Sequence, residues 1–215
     1  MKTHLELAKL FKSIDDWQTI GTDTQFRIID EEDETLIVFS PSNSKADWKI
    51  NFAYPKKPYK RMKVPFYAHG GFLDEWKTIN DYFLLFVHKR MTEINAYKPI
   101  TIVGWSYGGA IATLCHEDFW YNFPYKRNHL RLVTFGSPRV IGSKHFKEVA
   151  ERWEYAVLYA NGSDIITALP PAWLGFKHVC EPFHIGKKQS LLGYLKPKKH
   201  HHIDAYVTNL EEIHD

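Results

Sequence analysis

Residues 100–116, ITIVGWSYGGAIATLCH, join a β-branched run to a Gly-x-Ser-x-Gly-Gly turn and then to a stretch of small and apolar residues. No other part of the chain restricts the fold as tightly. Ile100 to Gly104 read as a buried strand, because β-branched side chains pack well on a pleated surface. The stretch from Gly108 to Tyr121 reads as a helix, with Gly109 and Ala110 small enough to let it approach its neighbours closely. A Cβ at Gly104 or Gly108 would collide with the adjoining strand and helix, so the glycines give the crowded turn room.

The rest of the chain continues this alternation. MKTHLELAKLFKSIDDW (1–17) has the pattern of a short amphipathic helix. Strand-like runs follow at 24–29 (TQFRII), 35–40 (TLIVFS), 48–54 (WKINFAY) and 64–69 (VPFYAH), each bounded by Asp, Ser, Pro or Gly. Residues 72–95 predict a long helix, with Phe72, Trp76, Ile79, Phe83 and Phe86 sharing one face. Thereafter 130–135 reads as strand, 143–153 as helix, 154–160 as strand and 203–213 as a last helix. Strand–helix alternation implies parallel strands joined by crossover helices, here with antiparallel strands near the start. No repeat or linker divides the 215 residues, so one domain is expected.

Composition excludes some classes. A net charge of +3 is too small to argue for nucleic acid, although basic residues gather at 55–63 and 186–202. Aromatic residues make up 15% of the chain, for which core packing is the default account. Cys115 and Cys180 are too few for a disulfide scaffold, and Cys115 reads as a buried thiol. His4, Glu6 and Lys9 interrupt any apolar run near residue 1, and no run approaches the roughly 20 residues needed to span a bilayer. A cytoplasmic protein is expected, or one released without a Sec signal.

In a strand–turn–helix link of this kind Ser106 sits on a strained backbone with its hydroxyl projecting from the sheet edge. The helix N-terminus adds positive dipole character there, which favours a developing negative charge. A phosphate-binding turn would need Gly-x-x-x-x-Gly-Lys-Ser/Thr, and that spacing is absent. A serine attacks only when a base takes its proton, and base and acid are expected in the order Ser, Asp/Glu, His. Asp164 follows the strand 154–160 directly, at the strand end where active-site groups collect. An Asx-type turn after Asn161-Gly162 is its plain alternative. Asp118 is carried away along its helix, and Asp204 suits the start of the last helix.

Of the twelve histidines, His69 and His88 precede the serine, and His116 and His129 fall in the wrong part of the chain. His178 and His184 belong to a late strand region. The run His200-His201-His202 stands at a loop end before the last helix, where the base is expected. A metal site is the other reading of that run, but adjacent histidines rarely close on one ion and no acidic-cysteine set joins them.

Five segments together resemble the class 3 lipases, an α/β-hydrolase family. GWSYGG (104–109) is similar to the family's Gly-His-Ser-Leu-Gly-Gly elbow, and LVTFGSPRVIG (132–142) to its Thr-Phe-Gly-Ser/Gln-Pro-Arg-Val-Gly segment. NGSDIITALPP (161–171) resembles Asn-x-x-Asp-x-Val-x-x-Leu-Pro, and AHGGFLDEW (68–76) resembles His-x-Gly-Phe-x-x-x-Trp. HHIDAYVTNL (201–210) is similar to the His-Ser-Ile-x-x-Tyr ending of bacterial members. The resemblance implies an α/β-hydrolase fold, with a central, mostly parallel sheet flanked by helices and antiparallel strands at its N-terminal edge. It assigns Ser106 as nucleophile, Asp164 as acid and His201 as base, with His202 as the alternative base.

One segment departs from the family. Ser40, Pro41 and Ser42 stand in VFSPSNSKADW (38–48) where the family has Arg-Gly-Thr, while Asp47 and Trp48 fit. The implied oxyanion donors are Ser42 and the backbone N–H of Tyr107. HGGF (69–72) as the oxyanion loop of another esterase branch would need two helices and a strand before the elbow, and the spacing allows one helix. The activity implied is hydrolysis of acylglycerols or related lipid esters through an acyl-enzyme, with no cofactor. Segments 51–64 and 173–199, aromatic or aliphatic and lysine-rich, are the expected lid or lipid-surface elements. Two other readings share these residues: an inactive lipase-fold lipid-binding protein, and an acyltransferase using the same serine.

Overall fold

The β-branched run of the opening stretch lies at the middle of a seven-stranded sheet. In a computed structural model, which describes residues 1–21, 24–41, 55–59, 66–91, 97–187 and 197–214, the chain enters through helix α1 (His4–Ser13). Strands β1 (Gln18–Ile20), β2 (Thr24–Asp30) and β3 (Thr35–Phe39) follow and pair antiparallel in that order. Strands β4 (Lys56–Tyr59) and β5 (Phe66–His69) lead into helix α2 (Gly70–Met91). Then come β6 (Ile100–Trp105), helix α3 (Tyr107–Asn122), β7 (Leu130–Phe135), β8 (Ile141–Gly142) and β9 (Ala156–Asn161). The chain closes with β10 (Phe176–Lys177), β11 (Phe183–Ile185), helix α4 (Pro197–His201) and helix α5 (Ile203–His214).

The main sheet runs β1-β2-β3-β6-β7-β9-β11, and every pairing from β3 to β11 is parallel. A smaller antiparallel sheet, β10-β8-β5-β4, lies apart from it. The fold is therefore the α/β-hydrolase type, with the expected antiparallel strands at the N-terminal edge. The strand expected at 48–54 lies outside the described residues, as do Ser42, Asp47 and Trp48.

Alternation along the strands divides the core between the two faces. Leu36, Val38, Val103, Val133 and Phe135 join Leu7 of α1 and Tyr206, Val207 and Leu210 of α5. Ile37, Phe39, Ile102 and Leu132 point the other way, onto Phe72, Trp76 and Phe83 of α2 and Ile111, Leu114 and Phe119 of α3. Fully burying a side chain of this size contributes about 1.5–3 kcal/mol. Both faces are covered, so the parallel strands read as continuous apolar runs. Residues 108–119 of α3 are all buried, which its small N-terminal residues permit.

Two expectations change. Phe86 is 43% exposed, at the edge of the α2 apolar face, although its ring still meets Phe26 edge-on at 6.1 Å. Residues 143–153 form no α-helix; short 3-10 turns at Phe146–Glu148 and Ala150–Trp153 replace it, after His145 adopts a left-handed φ of 61°. Apolar residues three or four apart suit a 3-10 turn as well as an α-helix, and here Phe146 stacks on Trp153 at 6.3 Å.

Candidate active site

Strand β6 ends at a turn that the flanking backbone holds under strain. Ser106 has φ 58° and ψ −125°, a conformation an L-residue seldom adopts and one that costs on the order of 1–3 kcal/mol. The turn is pinned on both sides: Ser106 N–H donates to the Phe135 carbonyl at 2.9 Å, and Gly109 N–H to the Ser106 carbonyl at 2.9 Å. A Cβ at Gly104 would run into the backbone of Gly108, and one at Gly108 into the carbonyls of Phe39 and Ser40. The missing side chains thus let three segments meet at the elbow: β6, the start of α3 and the exit of β3.

Three separate elements converge on Ser106. The Ser106 hydroxyl lies 2.8 Å from His201 Nε2, and His201 Nδ1 lies 2.8 Å from Asp164 Oδ2. A carboxylate only accepts, so the Nδ1–H donates to it and Nε2 is left to accept the serine proton. All three residues are buried. Asp164 leaves β9 by a turn in which its N–H donates to the Asn161 carbonyl at 2.9 Å. Its Oδ1 accepts from Ile166 N–H at 2.9 Å, and its Oδ2 also accepts from the Tyr206 hydroxyl at 2.6 Å. Asp164 therefore makes the Asx-type turn contact and also meets His201. Burial, with the Asp164 charge beside it, pushes the Tyr206 hydroxyl well above the usual phenol range, so it stays a donor.

The neighbouring candidates are drawn elsewhere. His202 is exposed and faces Asp204 at 3.1 Å, so the alternative base is not brought to the serine. His178 bonds the Thr167 carbonyl at 2.8 Å, and burial lowers it to about 4. Asp204 pairs with Lys12 at 2.8 Å. Asp118 is deep in the core, accepting from Trp76 Nε1 at 2.7 Å. Cys115 is a buried free thiol, as expected.

Two residues at the site were not singled out from the sequence. Tyr206 donates to Asp164, and its signal was the tyrosine five positions after His201. Gly136 has φ 60°, and a Cβ there would lie 2.9 Å from Asp164 Oδ2, 3.0 Å from the Tyr206 hydroxyl and 3.1 Å from His201 Cε1. Its signal was the glycine of TFGSPR (134–139), which only the fold turns towards the carboxylate.

Tyr107 is the first residue of α3, directly after Ser106 at the elbow. The β3 exit, Phe39 and Ser40, abuts the elbow through Gly108. Among the described residues, no three His, Cys, Asp or Glu side chains are grouped so as to hold a metal ion. Nor is any described helix long and apolar enough to cross a membrane.

A strained serine at a strand–helix elbow, hydrogen-bonded to a histidine and thence to a carboxylate, defines a serine-hydrolase type of site on an α/β-hydrolase sheet. Residues 36–173 match the family described as Lipase (class 3), and the chain belongs to that family. It is 29% identical over 185 residues to a lipase of Rhizomucor miehei, a match covering 85% of this chain and 50% of that protein. It is 28% identical to a secreted mono- and diacylglycerol lipase of Fusarium solani, over 67% of this chain and 42% of that one. The chain thus spans about half the length of these curated relatives or less. A solved triacylglycerol lipase whose catalytic centre is described as a serine-protease triad superposes with a TM-score of 0.70 at 26% identity, covering 79% of this chain and 65% of its own.

The expected cytoplasmic location is overturned by these relatives. The Fusarium solani protein is named as secreted, and so is a Malassezia restricta relative. The expectation rested on a missing apolar stretch near residue 1, and a missing stretch carries no address.

Proposed function

We propose that this chain is a serine carboxylic-ester hydrolase that cleaves acylglycerols or related lipid esters. The observation that carries the reading is the hydrogen-bonded series Ser106–His201–Asp164, at 2.8 Å for each link. In this reading His201 Nε2 takes the Ser106 proton as Oγ bonds to the ester carbonyl carbon. Asp164 holds the imidazole by its Nδ1–H and stabilises the imidazolium. The Tyr107 N–H and Ser42 receive the oxyanion. The imidazolium returns its proton to the leaving alcohol as the C–O bond breaks. Water, deprotonated by His201, then attacks the acyl-enzyme and releases the carboxylic acid and the free serine.

The names of the relatives support acylglycerols as the substrate class. Contact with a lipid surface is part of the same proposal. Within the segment 173–199, Trp173 is 82% exposed beside exposed Leu174, and Lys56 and Lys177 lie close by, with Lys56 Nζ donating to the Leu174 carbonyl at 2.8 Å. Exposed aromatic and cationic groups together suit an anionic membrane surface.

The test is hydrolysis of p-nitrophenyl esters from short to long acyl chain, by the protein and by Ser106→Ala. Turnover that drops to background in the variant supports the reading, and the chain-length profile then separates esterase from lipase. Absence of turnover by the unaltered protein, with detergent or lipid present, sinks it in favour of a lipase-fold binding protein.

A further inference from the structure

We infer that Trp105, the residue immediately before the nucleophile, is a positioning residue for the base. Its indole Nε1–H donates to the backbone carbonyl of His201 at 3.0 Å. This inference rests on the catalytic reading of Ser106 and His201.

His201 is the last residue of the five-residue helix α4, and a helix end leaves its carbonyls without intrahelical partners. Two consecutive carbonyls at this end are taken up by side chains of the sheet. Asn161 Nδ2, from the end of β9, donates to the His200 carbonyl at 2.9 Å, and Trp105, from the end of β6, donates to that of His201. The indole also packs beneath the same segment. Its centroid is 6.1 Å from the His201 ring and 5.9 Å from the His202 ring, and Phe11 of α1 meets it edge-on at 6.0 Å.

The geometry matters because Trp105 and Ser106 are adjacent in the chain. The strand end that presents the nucleophile also grips the backbone of the base. The distance between Ser106 Oγ and His201 Nε2 is thereby set through one rigid frame and depends less on the short helix α4. Asp164 orients the ring of His201, whereas Trp105 fixes where that ring is attached. A proton transfer across 2.8 Å is sensitive to displacement, and misplacement by about 1 Å can lower a rate about a hundredfold. The elbow that this chain resembles has His at the position of Trp105, so the indole is a property of this sequence.

The experiment compares the unaltered protein with Trp105→Phe, which keeps a ring but lacks the N–H. A second variant replaces Trp105 with benzothienylalanine, an isostere that lacks only the donor. Ser106→Ala is the control. The readouts are kcat and KM on a p-nitrophenyl ester, the rate of Ser106 phosphonylation, and the downfield proton resonance of His201 Nδ1–H.

With both donor-less variants, kcat and the phosphonylation rate are expected to fall about tenfold or more, with KM within about twofold and the Nδ1–H resonance broadened. A merely structural role would shift the melting temperature and leave these readouts unchanged in folded protein. Wild-type rates in either variant overturn the inference, and the isostere decides if Trp105→Phe does not fold. If Ser106→Ala keeps the activity, it is the catalytic reading of the site that fails.

Discussion

Asp164 and Asp118 are both buried carboxylates surrounded by donors, yet they stand in different company. Asp118, on α3, accepts from the Tyr59 hydroxyl, from Trp76 Nε1 at 2.7 Å and from Asn80 Nδ2 at 3.1 Å. These partners come from β4 and α2, so the carboxylate ties the small sheet and a long helix to the central one. Asp164 instead accepts from His201, whose other nitrogen meets a strained serine. Burial and full hydrogen bonding are therefore common to a structural knot and to a candidate catalytic acid. What separates them is a titratable partner with a second acceptor site aimed at a nucleophile.

The sharpest way to break this comparison is to remove the two acids in turn. Asp164→Asn should lower kcat by about 10⁴-fold, because it leaves the base in the wrong tautomer, with only a small change in melting temperature. Asp118→Ala should do the reverse. Donors left unpaired in the core cost about 1–3 kcal/mol each, so thermal unfolding should shift down while kcat per folded molecule is kept. An Asp118 variant that stays stable and loses kcat would erase the distinction. Next in size is Gly136→Ala, whose Cβ would press on Asp164, Tyr206 and His201 from a φ of 60°; kcat should drop about a hundredfold. Tyr206→Phe removes one donor to Asp164 and should lower kcat about tenfold, since a hydrogen bond to a charged group contributes about 1.5–3 kcal/mol at most.

The smallest effect is on the pH dependence of stability, which also separates core from site. Burial lowers His116 to about 3 and His69 and His178 to about 4, from an ordinary 6.5. Between those values the unfolded chain binds more protons than the folded one. Stability is therefore lost as the pH falls from 6.5 towards 4. Glu117, raised to about 7 by burial against the pull of Arg152, opposes this over its own window of 4.5 to 7. Three histidines outweigh one carboxyl, so the melting temperature should be lower at pH 5 than at pH 7. His116→Phe should flatten that slope without altering kcat.

Much of the fold was legible from local pattern. The β6 turn and α3 are specified by residues within one short window, because β-branched runs, glycines and small side chains act on their immediate neighbours. The failures have the same origin. Residues 143–153 carry a spacing that two kinds of helix satisfy, and the stack of Phe146 on Trp153 accompanies the 3-10 form. Phe86 carries the right period for the α2 face but falls where that face runs out.

The site divides along the same line. Ser106 was visible in the chain because its strain is encoded by adjacent glycines, and Asp164 because a strand end precedes it. Spacing in the chain left His200, His201 and His202 equivalent; resemblance chose one, and packing separates all three. His200 turns its backbone to Asn161, His202 turns out to Asp204, and His201 alone of the three meets Ser106 and Asp164. Tyr206 reaches Asp164 across 42 residues and Trp105 reaches His201 across 96, while Gly136 leaves room beside Asp164. Contacts over such distances in the chain exist only once both faces of the sheet have been covered. That is why backbone preference foretold the elbow, while the hydrogen bonds around the base had to await the packed molecule.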